Sequence, residues 1–188
     1  YRTLTELLTA ARARPEAITY AQASSSQRVA AEMLASMAGV KMLMVPYRSS
    51  PLAVQDVIAG RVDVFVADQA VILPQVQSGA LRALAVTTKE RSAQLPNVPT
   101  VAEAGNLPAY ELFAWFVLAA PAGTPAPIIA RLNAAVRAAM DSPELRERLG
   151  TGLGMAVRPS TPQEAVTFVA AETVKWSNAI RAAGIEPE

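Results

Sequence analysis

The apolar positions in the first half of the chain alternate between two spacings. Leucines and alanines between Leu4 and Arg14 recur at helical intervals, and Pro15 closes that predicted helix. Short apolar runs predict strands at 17–21, 41–47, 62–67 and 81–87, with a helix in each of the gaps between them. Successive strand–helix repeats predict an α/β fold with a mostly parallel sheet flanked by helices.

The pattern changes between Leu95 and Pro125, where prolines and glycines surround one dense apolar run. That run, Leu112–Ala120, predicts a short, fully buried strand, with Trp115 and Phe116 in the core. Beyond it the spacing predicts helices at 128–140, 144–149 and 162–184 and an edge strand at 155–157. We therefore expect two lobes: a complete α/β lobe at 1–112 and a mainly helical part of another lobe at 113–188.

Composition excludes several classes of function. The 188 residues carry a net charge of +1 without a basic stripe, so nothing points to nucleic acid. With no cysteine there is no disulfide or thiolate site, and with no histidine a Ser-His-Asp triad is impossible. The longest apolar run is much shorter than the roughly 20 residues of a membrane-spanning helix, so we expect a soluble chain.

Polar residues follow three of the predicted strands. In parallel sheets, ligands bind beyond the carboxyl ends of the strands, where helix N-termini offer unpaired N–H groups to a carboxylate or phosphate. Capping alone also explains any single serine, and Asp68 is equally suited to a ligand or to a loop N–H group. We expect no catalytic residue, no metal and no cofactor, and a ligand site formed by Ser24, Ser25, Ser26, Tyr47, Ser49 and Asp68.

Motifs along the whole chain carry a resemblance to a known family. They are VPYR at 45–48, SGALRALAVTT at 78–88, RSAQLPNVPTVAEAG at 91–105, WFVLAAPAGTP at 115–125 and DSPELRERL at 141–149. Taken in order, the set resembles the substrate-binding proteins of tripartite tricarboxylate transporters, the Bug family.

The resemblance implies a periplasmic solute receptor with a type II periplasmic-binding-protein fold. Such a receptor captures a small carboxylate (a dicarboxylate, an aromatic acid or an amino acid) and presents it to a membrane permease. It also implies that 24–26 form a ligand loop, that Tyr47 lines the cleft and that the Asp68 region faces the ligand. The family's signal sequence and much of its first lobe have no counterpart here, so we expect a processed, trimmed or excised piece.

Two other classes of protein fit parts of the sequence. The effector domain of a bacterial transcription regulator shares the two-lobe architecture but leaves the ordered motifs unexplained. An enzyme would need a serine activated by Lys41, Lys89 or Lys175, none of which stands near a serine in a telling pattern. An incomplete lobe would expose apolar surface around Leu112–Ala120 and Ile128–Met140, so we expect a homodimer or other association there.

Overall fold

The computed structural model describes residues 1–185, which form two compact units. Unit 1 contains Tyr1–Ala114 and the segment that starts at Ala179, and unit 2 contains Trp115–Asn178. The assignment of these units to particular lobes of a receptor stays a prediction.

Unit 1 is built on a parallel three-stranded sheet in the order β2-β1-β3. Its strands are β1 (Thr19–Gln22), β2 (Leu43–Pro46) and β3 (Val64–Phe65). The α/β class and the parallel sheet are therefore confirmed. The helices of unit 1 are α1 (Leu4–Ala13), α2 (Ser25–Ala38), α3 (Ser50–Ile58), α4 (Gln69–Gln77) and α5 (Val101–Gly105).

Helices cover both faces of the sheet because neighbouring residues of β1 point to opposite sides. Tyr20 faces α2, where its hydroxyl group bonds to Glu32. Ala21 faces the other way and packs with Ala53 of α3. The larger core lies on the α2 side and includes Leu7 and Leu8 of α1. Burying each leucine contributes about 1.5–3 kcal/mol.

The predicted strand at 81–87 is wrong. The N–H of Leu81 bonds back to Gln75 in α4, while Val86 and Thr87 pair with later residues rather than with β3. Val86 forms an isolated parallel bridge with Thr100, and Leu112 donates its N–H to the carbonyl oxygen of Thr87 at 3.0 Å. The nearby helix α5 was not predicted, although Thr100 and Glu103 form a complete capping box at its start.

The predicted buried strand at Leu112–Ala120 is also wrong. Leu112 is buried, but the residues after it form no strand, and Phe116 and Leu118 are 83% and 78% exposed. Trp115 is partly buried and meets Phe168 edge-to-face, with ring centroids 5.4 Å apart. A strand needs a partner for its N–H and C=O groups, and no strand of residues 1–185 pairs with this run.

Unit 2 is helical. It contains α6 (Ala126–Met140), α7 (Pro143–Arg146), a π-helical turn (Glu147–Gly152) and α8 (Pro162–Ala182) up to Asn178. The predicted edge strand at 155–157 is not formed. No residue of α6 is buried, and Ile128 and Leu132 stand half exposed, so the predicted apolar surface on this helix is present.

Candidate ligand site at the carboxyl edge of the sheet

The three predicted site segments lie at the same edge of the sheet because the strands are parallel. Gln22 at the end of β1 pairs with Pro46 at the end of β2, and β3 ends at Phe65 on the other side of β1. The chain leaves these ends through 23–24, 47–49 and 66–68. In the order β2-β1-β3 the chain runs outward from β1 to β2 and then crosses to the other side of β1, and ligands of open α/β sheets bind where the strand order reverses in this way.

Ser24 begins α2 as its N-cap. Its Oγ accepts the backbone N–H of Gln27 at 3.4 Å, and its backbone is extended. Ser24 Oγ also lies 3.1 Å from Ser26 Oγ, within hydrogen-bonding distance. Ser25 is exposed. The start of α2 thus presents hydroxyl groups together with the positive end of a helix dipole.

Gln27 was not predicted as a site residue. Its side chain is buried at 5% exposure, where Oε1 accepts the N–H of Ala23 at 2.9 Å and Nε2 donates to Ser50 Oγ at 3.0 Å. One amide group therefore joins the loop before α2 to the first residue of α3. A sequence signal existed, because Ser24 and Gln27 have the S-x-x-Q spacing of a capping box.

Ser49 and Ser50 have different roles at the start of α3. Ser49 is the N-cap, but its side chain makes no capping hydrogen bond. Pro51 follows in the first turn and has no N–H to offer it. Ser50 receives the amide of Gln27. The hydroxyl group that the structure joins to the α2 terminus is therefore that of Ser50, which the prediction left out in favour of Ser49.

The hydroxyl group of Tyr47 points elsewhere. It donates to Asp56 Oδ2 of α3 at 2.8 Å, and Asp56 Oδ1 pairs with Arg61 at 2.9 Å. Burial and the bond to the Asp56 carboxylate raise the pKa of Tyr47 above its ordinary value. Tyr47 therefore stays a neutral donor that ties the end of β2 to α3, and the structure does not join its hydroxyl group to the serines.

Asp68 stands at the start of α4 on the β3 side of the edge. It is exposed, and its carboxylate makes no capping bond. The next residue, Gln69, donates through Nε2 to Gln94 Oε1 at 3.2 Å, and Ser92 also donates to that oxygen at 3.0 Å. The structure therefore joins Gln69, rather than Asp68, to the neighbouring loop.

Unit 2 has a groove of its own. It has a volume of about 690 Å³ and is lined mostly by alanine and other apolar side chains of α6, with Asn133 and Arg137 among them. Asn133 already donates to the carbonyl oxygen of Ser160 at 2.8 Å. Hydroxyl groups and the N-termini of α2 and α3 meet instead at the carboxyl edge of the sheet.

Within residues 1–185 no cluster of acidic side chains is arranged to hold a metal ion. Over the same range, none of the helices has the length and apolar character needed to cross a membrane.

The chain matches a family of transport receptors over residues 1–185, described as "Tripartite tricarboxylate transporter family receptor". It belongs to this family. The resemblance inferred from the sequence motifs is confirmed, and the match gives no support to the regulator alternative.

Several known proteins are similar to this chain along most of the chain's length. It is 38% identical over 96% of its length to a protein encoded in the tcbD-tcbE intergenic region of Pseudomonas sp. strain P51, and covers 54% of that protein. It is 32% identical to BugT of Bordetella pertussis, over 96% of this chain and 56% of BugT. The chain thus spans about half the length of these two relatives.

Solved structures share the fold. R. palustris Rpa4515, solved with adipate, superposes with a TM-score of 0.90 at 33% identity, covering 100% of this chain and 63% of that one. MatC from Rhodopseudomonas palustris, solved with bound malate, gives 0.82 at 32% identity, covering 95% of this chain and 62% of MatC. The periplasmic binding protein BugD superposes with a TM-score of 0.86 at 27% identity, covering 100% of this chain and 64% of BugD. The predicted periplasmic-binding-protein fold is confirmed.

Proposed function

We propose that this chain provides a solute-binding part of a periplasmic receptor that captures a small carboxylate and presents it to a membrane permease. The observation that carries the proposal is the meeting of two helix N-termini, those of α2 and α3, at one edge of a parallel sheet. Membership of a transport-receptor family and the acids bound by Rpa4515 and MatC support it. The proposed role is binding rather than catalysis.

The site residues have distinct proposed roles. Ser24 and Ser26 supply hydroxyl groups, and exposed Ser25 supplies its hydroxyl and N–H groups at the first turn of α2. Ser49 places the start of α3, and Tyr47 holds the preceding loop through Asp56. Asp68 accepts a hydroxyl or ammonium group of the ligand. A dicarboxylate with a hydroxyl group and an amino acid both fit this arrangement, and an aromatic acid is a further class to screen.

Calorimetric titration with adipate and malate tests the proposal. We expect both acids to bind and adipamide, which lacks the negative charges, to bind more weakly. In the Ser25→Ala/Ser26→Ala double variant, affinity should fall by about 0.5–2 kcal/mol, because one or two hydrogen bonds are lost. Ser78→Ala, at the far end of α4, is the matched control. Equal affinity of the double variant and the unsubstituted chain would remove α2 from the site.

Two further parts of the proposal concern the whole receptor. A precursor with a signal peptide would carry the chain to the periplasm, and fractionation of cells expressing the intact gene would locate it. Association of two copies through the exposed apolar residues of unit 2 is also proposed, and light scattering would detect it.

A further inference from the structure

Gln27 links the two helix termini through a buried amide group. We propose that Gln27 is a positioning residue of the ligand site, which holds Ser50 so that its hydroxyl proton is directed to the ligand. The part of the site between the starts of α2 and α3 then selects groups that only accept hydrogen bonds, such as an ionised carboxylate. This inference rests on the proposed function, since it concerns how the same site recognises its ligand.

The orientation of the Gln27 amide is fixed by its neighbours. The backbone N–H of Ala23 is only a donor, so the group 2.9 Å from it must be the amide oxygen, Oε1. Nε2 is then the group that faces Ser50 Oγ at 3.0 Å. At 5% exposure, the side chain is shielded from the water that would compete for either bond.

This orientation determines what Ser50 offers to a ligand. An amide NH₂ group is only a donor, so Ser50 Oγ must accept from Gln27 and cannot donate to it. Within the described residues, no protein acceptor takes the proton of Ser50. That proton is available to a ligand beyond the end of β2.

The serines at the start of α2 also have a hydroxyl proton to donate. Ser24 Oγ accepts from the backbone N–H of Gln27, and one hydroxyl proton forms the bond between Ser24 and Ser26. The pair has two hydroxyl protons, so one is left to donate outward. Gln27 thus stands between two groups of donors, and both helix dipoles present positive ends to the same region. An ammonium group here would find few acceptors.

Gln27 also joins elements on opposite faces of the sheet. Glu32 of α2 bonds to Tyr20, and Ala53 of α3 packs against Ala21, on the other side of β1. The amide therefore spans the carboxyl end of the sheet and fixes the separation of the two termini. Without this amide, each helix would keep its packing on the sheet, but the hydroxyl groups at the starts of α2 and α3 would no longer be held at a fixed distance from each other.

A double-mutant cycle tests the inference. The variants are Gln27→Met, which keeps the length of the side chain without its amide, Ser50→Ala and the combination of the two. Adipate and malate affinities are measured by calorimetry, and unfolding in urea is followed in parallel. Gln55→Met on the exposed side of α3 is the matched control. We expect each single substitution to weaken binding about three- to tenfold. The affinity of the double variant should equal that of the single variant with the lower affinity, because Gln27 acts through Ser50.

The outcomes separate the two proposals. If the effects of Gln27→Met and Ser50→Ala on affinity multiply, Gln27 has only a structural role and the inference is overturned. Unchanged affinity in Gln27→Met, with binding by the unsubstituted chain, overturns it as well. If the unsubstituted chain binds neither acid, the proposed function is overturned and the role of Gln27 falls with it.

Discussion

At the scale of single residues, the same amino acid has different effects according to its neighbours. Ser24 and Ser49 both precede a helix after a strand, and both were predicted as caps. Ser24 accepts an N–H from its helix, whereas the side chain of Ser49 makes no capping bond. The sequence shows that a serine is suited to capping. It does not show which hydroxyl group a buried amide from another helix will reach.

Glu103 provides a prediction about pH. Its pKa is lowered first by the hydrogen bond from the N–H of Thr100 and then by Arg91, whose Nε lies 3.0 Å from Oε2. The carboxyl group thus has a lower pKa in the folded chain than in the unfolded one. Its stabilising contribution is present above the unfolded pKa and is lost as the pH falls through the folded pKa. We expect Glu103→Gln to make the free energy of unfolding in urea less sensitive to pH over the acid range in which carboxyl groups titrate.

The control for this prediction is Arg91→Met, which removes only the second of the two causes. It should reduce the pH sensitivity by less than Glu103→Gln does. If Arg91→Met abolishes the whole effect, the ion pair rather than the capping box stabilises the Glu103 carboxylate.

At the scale of elements, helices were easier to predict than strands. The end of α2 was predicted from Gly39, and its start from the serines at 24–26, because caps and stops act within one turn. The strand at 112–120 was predicted from apolar residues alone, but a strand requires pairing with a distant segment. Local sequence does not specify that partner, and the backbone from 81 to 87 pairs with neither β3 nor a new strand.

Gly39 gives a prediction at this scale. It ends α2 with a φ of 62°, and the Val40 N–H then reaches the carbonyl oxygen of Ala35 at 2.9 Å. A Cβ added at Gly39 would meet no atom within 4 Å, so only the backbone conformation opposes a side chain. We expect Gly39→Ala to lower the free energy of unfolding by about 1–2 kcal/mol. Chemical denaturation would measure it.

Gly39→Asn is the matched variant, because asparagine adopts the left-handed conformation more readily than alanine. Gly39→Asn should lower the free energy of unfolding by less than Gly39→Ala does. If both substitutions cost the same, the left-handed backbone is not the source of the loss.

At the scale of the whole molecule, the two units differ in how well they cover their apolar residues. Unit 1 contains nearly all of the buried core, including Leu7, Ile18 and Tyr110. Unit 2 leaves Phe116, Leu118 and Val166 largely exposed. Apolar surface of this kind favours association between molecules. Exposed apolar surface was expected around Leu112–Ala120 and Ile128–Met140, because the resemblance places these residues in an incomplete lobe.

Light scattering across a range of concentrations tests the association. We expect a dimer or larger species at high concentration, and less of it in the Phe116→Ser/Leu118→Ser variant. Leu43→Ser, which removes a half-exposed leucine from β2 in unit 1, is the control and should leave the size distribution unchanged. A single monomer at all concentrations would show that unit 2 tolerates its exposed surface.

The return of the chain to unit 1 has a consequence for synthesis. Ala179 is buried in unit 1, and Ser36 Oγ donates to the carbonyl oxygen of Ala182 at 3.4 Å, across 146 positions. Translation at about 5–20 residues per second separates Ala114 from Ala179 by several seconds. During that interval the sheet and its first five helices have emerged, but the last segment of their core has not. Until the end of α8 is synthesised, unit 1 therefore lacks Ala179 and the bond from Ser36 to Ala182, which leaves time for a chaperone to bind the chain first.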